Sequence, residues 1–214
     1  ALLGSTESRT NRMSTAPQPV LIVIAGPNGS GKTTVTEQIL RHEWMAGAEY
    51  INPDQNAQDK FGGWDSEEAV RKSIRYCEEW RERCIRERQS LIFETVLSRN
   101  DKVEYIEKAK EAGFFVRLFF VCTASPTINA ARIAKRVMEG GHNVPIPKIV
   151  SRYQASIANC CIAAGIVDRC YVYDNSEDGC DARPLFRASD GVLAKKYVSE
   201  IPEWAEFIYR AVAQ

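Results

Sequence analysis

The sequence predicts a three-layer α/β/α fold on a parallel five-stranded sheet, and three observations lead there. Apolar runs of strand length recur along the chain, beginning with Val20–Ala25, and helical stretches separate them. Alternation of this kind implies right-handed crossovers and a sheet covered on both faces. The first strand runs into a glycine-rich segment, 26–34, and from there directly into a helix. Composition agrees: of 214 residues, 44% are hydrophobic and 26% charged, which suits one domain with a sizeable core.

The elements follow in order. Val20–Ala25 is apolar on both faces, as a buried parallel strand requires. A helix over 32–44 follows, then a short strand over 50–52. Asp65, with Glu68 in the capping-box position, opens a helix over 66–88. Its Glu and Arg spacing reads as a solvated face, with Ala69, Ile74, Cys77 and Cys84 turned inward. A third strand spans 90–95, a helix 101–112 ends at Gly113, and a fourth strand covers 114–122. Ser125 and Pro126 open a helix that Gly140 and Gly141 close, and a further helix over 147–164 ends at Gly165. A fifth strand over 169–173, a β-hairpin over 183–197 centred on Ser189-Asp190-Gly191, and a helix over 202–212 complete the chain. Residues 1–19 are polar and aperiodic and read as a disordered leader or an added tail, with Met13 as an alternative native start. Residues 20–214 are expected to form a single domain.

Several function classes drop out early. The 28 basic and 28 acidic side chains cancel, so no global field recruits nucleic acid or an anionic membrane. The apolar runs are far shorter than the roughly 20 residues of a membrane span. Seven cysteines, an odd set without C-x-x-C pairs, read as reduced buried thiols, which fits a cytoplasmic location.

The segment Gly26-Pro27-Asn28-Gly29-Ser30-Gly31-Lys32-Thr33-Thr34 fits the phosphate-binding pattern G-x-x-x-x-G-K-[ST], and it lies between a strand and a helix. Glycines let successive N–H groups close around a phosphate, and the helix N-terminus adds partial positive charge. Lys32 is suited to the β- and γ-phosphates and the Thr33 hydroxyl to Mg²⁺, so ATP and Mg²⁺ are the expected cofactors. A P-loop of this kind does not say what the nucleotide is used for.

Three features at the other strand ends favour phosphoryl transfer. Asp54, in Asn52-Pro53-Asp54, can take a proton from an acceptor hydroxyl; a cap or turn role is the alternative. Glu94-Thr95 ends strand three and can supply a carboxylate for a magnesium-bound water or for the acceptor; a satisfied strand-end charge is the alternative. Arg132, Lys135, Arg136, Lys148 and Arg152 are opposed only by Glu139 between 126 and 153. Arg132 and Arg136, one turn apart, share a helix face and can bracket a triphosphate; a solvated basic face is the alternative.

These residues together resemble the zeta-toxin family of P-loop kinases, over about 21–175. The resemblance rests on A-G-P-N-G-S-G-K-T-T (25–34), I-N-P-D (51–54), F-E-T-V-L-S (93–98), R-x-x-x-R-V (132–137), G-G-H-N-V-P (140–145), R-Y (152–153) and Y-D-N-S (173–176). It implies a nucleoside- or adenylate-kinase-like fold with a helical lid at about 126–153. It also implies ATP-dependent phosphorylation of a sugar hydroxyl, in the toxins that of UDP-N-acetylglucosamine. Carried over, Asp54 is the general base, and Lys32, Arg132 and Arg136 act on the transferring phosphate. Arg152 joins the loop residues around the nucleotide. Glu94, Thr95, Ser98 and His142 are placed against the acceptor. An inhibitory antitoxin is the protein partner it brings in. The chain is shorter than the larger toxins and is expected to lack much of their C-terminal helical region. Kinases for a dinucleotide, another metabolite or a nucleic-acid end are the enzyme alternatives, and the neutral charge disfavours the last. A nucleotide-dependent switch or binding module is the alternative outside enzymes.

Overall fold

A strand that is apolar on both faces needs helices over each face and a strand at each edge, so the most apolar strand lies inside the sheet. In the computed structural model, which describes residues 16–41, 47–63 and 66–214 apart from the side chains of 40, 53–55 and 57, that strand is β1 (Val20–Ala25). It pairs in parallel with β3 (Leu91–Thr95) and β4 (Phe115–Cys122). β2 (Glu49–Ile51) lies outside β3, and β5 (Arg169–Asp174) lies outside β4, both again parallel. The expected leader at 1–19 and the end of the first helix beyond 41 fall largely outside the described residues.

The sheet has seven strands rather than five. The expected hairpin, β6 (Arg183–Ser189) and β7 (Val192–Lys196), does not stand apart but continues the sheet antiparallel from β5. A two-stranded ribbon alone is marginal, whereas β5 offers an open ladder and the buried face of Leu185, Phe186 and Ala188 extends the core. Asp190 and Gly191 both have positive φ, 51° and 78°, which suits a tight two-residue reversal.

Alternation along β1 divides the core in two. Ile22 and Ile24 face Val35 and Ile39 of α1 (Lys32–Leu40). Leu21, Val23 and Ala25 face a larger cluster fed by α3 (Glu67–Glu87), α4 (Asn100–Glu111), α6 (Ile146–Ala164) and α7 (Glu206–Val212). Each fully buried Leu, Ile or Val side chain among these contributes about 1.5–3 kcal/mol of burial free energy.

Two helix starts differ from the sequence reading. A helix, α2 (Pro53–Phe61), begins at the proline after β2, where only a turn or cap had been expected. Proline at the first position costs no hydrogen bond, which is why the chain can turn helical there at once. The next helix is capped by Ser66, whose Oγ accepts from Ala69 N–H at 3.3 Å; the expected cap, Asp65, lies outside the described residues. α5 (Pro126–Met138) begins and ends at the expected proline and glycine pair.

The last elements tie back to the sheet. Trp204, in a single 3₁₀ turn over Glu203–Ala205, donates from Nε1 to Asp174 Oδ2 at 2.7 Å, and both side chains are buried. Trp204→Phe leaves that carboxylate oxygen without its donor, at a cost of about 1–3 kcal/mol. The melting temperature is expected to fall by roughly 2–4 °C for each kcal/mol in a domain of this size. An unchanged melt, measured by circular dichroism, would remove Trp204 as an anchor.

Candidate active site

The P-loop takes its shape from close approaches that only glycine permits. A Cβ on Gly26 would lie 2.0 Å from Val121 O, and one on Gly31 would lie 2.1 Å from Asn175 Nδ2. Both glycines have positive φ, 153° and 94°. Asn175 follows β5 and donates from Nδ2 to Ser30 O at 2.8 Å, while its backbone N–H donates to Cys122 O at 2.8 Å. The loop is thereby fastened to the ends of two strands. Lys32 Nζ donates to Gly26 O at 2.8 Å and Pro27 O at 3.2 Å, curling over the cradle that it closes. Ser30 Oγ and Asn129 Nδ2 are buried beside the loop with no partner among the described residues.

In front of the loop lies a cavity of about 560 Å³. Of the residues singled out by sequence, it gathers Asn28, Gly29, Gly31, Lys32, Thr33, Glu94, Thr95, Ser98, Arg132, Arg136, His142 and Arg152 along its walls. Gly26, Pro27 and Ser30 do not line it, and Thr34 faces a second, smaller cavity with Gln38, Asn175, Asp178 and Cys180. Asp54 sits in the first turn of α2, beyond the carboxyl end of β2, and its side chain lies outside the described residues.

Glu94 is 9% exposed and held by neighbours. Tyr50 OH donates to its Oε1 at 2.9 Å, and Thr36 Oγ1 donates to the same oxygen at 2.5 Å. Asn52 Nδ2 in turn donates to Tyr50 OH at 3.0 Å. The other strand-end acid, Asp174, is taken up by Ser176 N–H and Trp204. Glu94 is thus the carboxylate that a strand end presents to the cavity. Cys122, at the end of β4, is no nucleophile: burial pushes its thiol up to about 12.

The basic helix meets the loop. Arg132 Nη1 reaches Gly29 O at 3.5 Å, while its Nε and Nη2 donate to Asp178 Oδ1 at 2.9 and 2.7 Å. Asp178 is 85% exposed, so this pair is worth little and Arg132 can exchange it for another anion. Arg152 Nη1 donates to Asn28 Oδ1 at 3.3 Å. Lys135 and Lys148, counted in the same basic stretch, are exposed and do not line the cavity. α6 itself is fixed, with Tyr153 OH donating to Thr123 O at 2.6 Å and Asn159 Nδ2 to Leu97 O at 2.9 Å. Thr95 serves the loop more than the cavity. Its Oγ1 accepts from Leu97 N–H at 3.0 Å, holding Leu97 at φ 57°, a left-handed conformation costly for a branched residue.

Sequence reasoning missed the opposite wall. Val70, Ile74, Glu78 and Arg81 of α3 and Arg99, Asp101 and Lys102 at the start of α4 also line the cavity. The Glu and Arg spacing of α3 suggested solvent, and Ile74, expected to turn into the core, is instead 45% exposed where this face borders the cavity.

A parallel sheet in the order β2-β3-β1-β4-β5, with a glycine-rich loop leading from its central strand into a helix, defines a P-loop kinase fold. The zeta toxin family profile matches residues 5–181, and the chain belongs to that family. The fold is similar to that of a chain in the AvrRxo1-ORF1:AvrRxo1-ORF2 complex, at 21% identity and a TM-score of 0.66, covering 91% of this chain and 63% of that one. The same complex has also been solved with ATP. A structure from the PezAT chromosomal toxin-antitoxin system of Streptococcus pneumoniae is similar at 17% identity and a TM-score of 0.58, covering 95% of this chain and 82% of that one. A Haemophilus influenzae protein described as uncharacterized is 38% identical over 60 residues, which is 28% of this chain and 43% of that protein. The match thus spans less than two thirds of the length of the Haemophilus protein and of the AvrRxo1 complex chain.

Gly26→Ala tests the loop's packing, because the obstructing atom is backbone and cannot swing aside. The variant is expected to lose at least about 2 kcal/mol of stability and most nucleotide affinity. A melt and a nucleotide titration matching those of the parent would contradict the close approach.

Proposed function

We propose that the chain is an ATP-dependent kinase, transferring the γ-phosphoryl group to a hydroxyl of a small acceptor, with a nucleotide-sugar such as UDP-N-acetylglucosamine as the acceptor class. The observation that carries this is charge. In a chain of net charge zero, seven Lys and Arg side chains and three carboxylates among the described residues line one cavity in front of the P-loop. A triphosphate and an anionic acceptor balance such an excess; a bare ATP switch would need only the loop side of it. The ATP complex solved for the AvrRxo1 pair and the toxin-antitoxin origin of the pneumococcal structure support the reading, and an antitoxin is its proposed protein partner.

The residues have distinct tasks. Backbone N–H groups of 28–33 and the start of α1 hold the β-phosphate, with Lys32 turning from the loop carbonyls to the phosphates. Thr33, exposed at the first turn of α1, offers a hydroxyl to Mg²⁺, which suits a cation that keeps most of its waters and binds through substrate phosphates. Bound there, Mg²⁺ supplies charge neutralisation at the phosphates. Asp54 accepts the acceptor's hydroxyl proton as its oxygen bonds to the γ-phosphorus and the bond to the β–γ bridging oxygen breaks, releasing ADP. Glu94, oriented by Thr36 and Tyr50, accepts a hydrogen bond from the acceptor, with Ser98 and His142 on the same side. Arg132 and Arg136 stabilise the transferring phosphoryl, and Arg152 holds Asn28 at the loop. The segment 126–153 forms the lid that excludes water.

Incubation with MgATP and a metabolite extract, read by mass spectrometry, is expected to yield one species heavier by about 80 Da, the mass of a phosphoryl group. Asp54→Asn is expected to keep ATP affinity and reduce that transfer by about 10²–10⁴-fold, whereas Lys32→Ala loses both. Turnover by Asp54→Asn equal to the parent's would remove the base. With the phosphates in the P-loop, the base and ribose extend over the second cavity beside Thr34 and Asn175, and that position has its own check. Cys180 is exposed on the second cavity beside Thr34 and Gln38, while Cys77, Cys84, Cys122, Cys160 and Cys170 are buried. Cys180 is expected to be the fastest thiol to react with Ellman's reagent, and MgATP at ten times its Kd should slow it roughly tenfold. Labelling indifferent to MgATP would put the base and ribose elsewhere.

A further inference from the structure

The sheet carries a surface that phosphoryl transfer does not use. Side chains alternate along each strand, and one set from β4–β7, including Leu118, Phe120, Val172 and Phe186, enters the larger core beneath α3, α4, α6 and α7. The other set faces the side of α1. In the apolar cluster there, Val35 and Ile39 of α1 are the only helix residues among the described residues, and they lie against β1. The outer strands on that side present side chains to solvent. Tyr171 and Tyr173 are half-buried, Arg187 and Lys195 are exposed, and Tyr197, just past β7, is 43% exposed.

The strand register gathers these side chains into rows. Phe119 pairs with Tyr171, Tyr171 with Arg187, and Arg187 with Lys195, so one row crosses four strands. The Tyr171 ring stacks on Phe119 with centres 4.5 Å and planes 9° apart, and Tyr173 lies 6.4 Å from the same ring at 21°. In the next row Arg117 pairs with Arg169, and their guanidinium carbons lie 5.0 and 5.4 Å from the centre of the Phe115 ring. Lys195 Nζ lies 5.0 Å from the centre of the Tyr197 ring. The four strands contain one acid, Asp174, and it turns to the opposite face to meet Trp204. The carboxylate paired with this surface is Asp190 in the hairpin turn, 75% exposed, with Oδ2 3.5 Å from Arg169 Nη1. A chain of zero net charge thus has one locally cationic, aromatic sheet face.

We propose that this face of β4–β7 binds single-stranded RNA, with bases stacked on its tyrosine rings and Arg169, Arg187 and Lys195 along the phosphates. Rings give a surface to any unpaired base, and cations on neighbouring strands follow a backbone charged at every nucleotide. Four strands about 4.8 Å apart span roughly 14 Å, room for about two or three bases. A duplex keeps its bases stacked on one another and offers these rings nothing. An acidic peptide would match the cations but leave the row of rings unused. A second copy of the chain, meeting this face with its own, would set cation against cation. Tyr171 OH accepts from Arg117 Nη1 at 2.6 Å and keeps its own proton, which a ribose 2′-hydroxyl can accept and deoxyribose cannot. The proposal does not depend on the kinase reading.

The test uses the full chain loaded with a magnesium-bound, non-hydrolysable ATP analogue, so that the P-loop is occupied. A fluorescein-labelled oligouridylate of about ten nucleotides is titrated at low salt and read by fluorescence anisotropy. Binding is expected, and it should weaken as salt rises. Arg187→Glu combined with Lys195→Glu should weaken it about tenfold or more, and Tyr171→Leu, which keeps the charge, by at least about fivefold. Affinity for the analogue should not change in either variant. The DNA counterpart, the RNA paired with its complement, and polyglutamate should each bind at least about threefold more weakly. The proposal is overturned by absence of binding to the parent at low salt, or by affinity indifferent to the charge reversal. It is equally overturned if Tyr171→Leu binds as tightly as the parent, or if DNA, duplex or polyglutamate matches the RNA. Dimerisation of the parent that the charge reversal abolishes, seen by sedimentation, would give the face to a second copy and reject RNA. If a melt shows Tyr171→Leu unfolded, Tyr197→Ala decides instead: it should weaken RNA by at least about threefold, and unchanged affinity rejects the stacking surface.

Discussion

The amide of Asn175 determines where everything else in the site can stand. Its side chain donates to the carbonyl of Ser30 and its backbone to that of Cys122, so β5, β4 and the phosphate loop are joined through one residue. The bond requires Gly31, because any Cβ there would occupy the position of the amide nitrogen. Behind Asn175, Asp174 is held by Trp204, which links the loop's geometry to the end of the chain. A cradle built from backbone needs such external fastening, since glycine supplies freedom of conformation but no rigidity of its own.

Once the loop is fixed, the rest of the site is a matter of charge placement. The sequence carries equal numbers of acids and bases, yet among the described residues cations outnumber carboxylates along the wall of one cavity. Arg132 and Arg152 approach from α5 and α6 and contact the loop through Gly29 and Asn28. Arg81 approaches from α3 and is kept in place by aromatic rings rather than by acids. Glu94, by contrast, is restrained by hydroxyl donors that set its direction without neutralising it. With neutral partners for the acid and aromatic partners for the base, neither charge is neutralised by an ion pair among the described residues.

How much of this could be read in advance depended on range. The loop, the positions of the strands along the chain up to β5, and the shared face of Arg132 and Arg136 are local in sequence, and periodicity or a glycine pattern reveals them. The continuation of the sheet into β6 and β7 depends on an open strand ladder, which no local pattern reports. Asp178, the present partner of Arg132, is 46 residues away, so a count of acids near the basic helix could not find it. Arg81 is the plainest case. In a helix where Glu and Arg recur every three or four residues, one buried arginine looks like the exposed ones, and only the packing of Phe93 and Tyr105 sets it apart. The short helix α2 was hidden for a different reason, since proline after asparagine reads equally as a turn.

The antiparallel hairpin has a consequence for behaviour at high concentration. Without it, the outer boundary of the sheet would be β5, whose Val172 is buried and whose main-chain groups would stand ready to template another chain. β7 takes that outermost place instead, bearing Lys195 and Lys196, with the ammonium groups lying over Tyr197 and Tyr209. Lysines on an outermost strand discourage stacking of one molecule against the next, because like charges would be forced together along the seam. The opposite boundary, β2, is only three residues long and offers little to copy. Both margins of the sheet are therefore poor seeds for fibril growth.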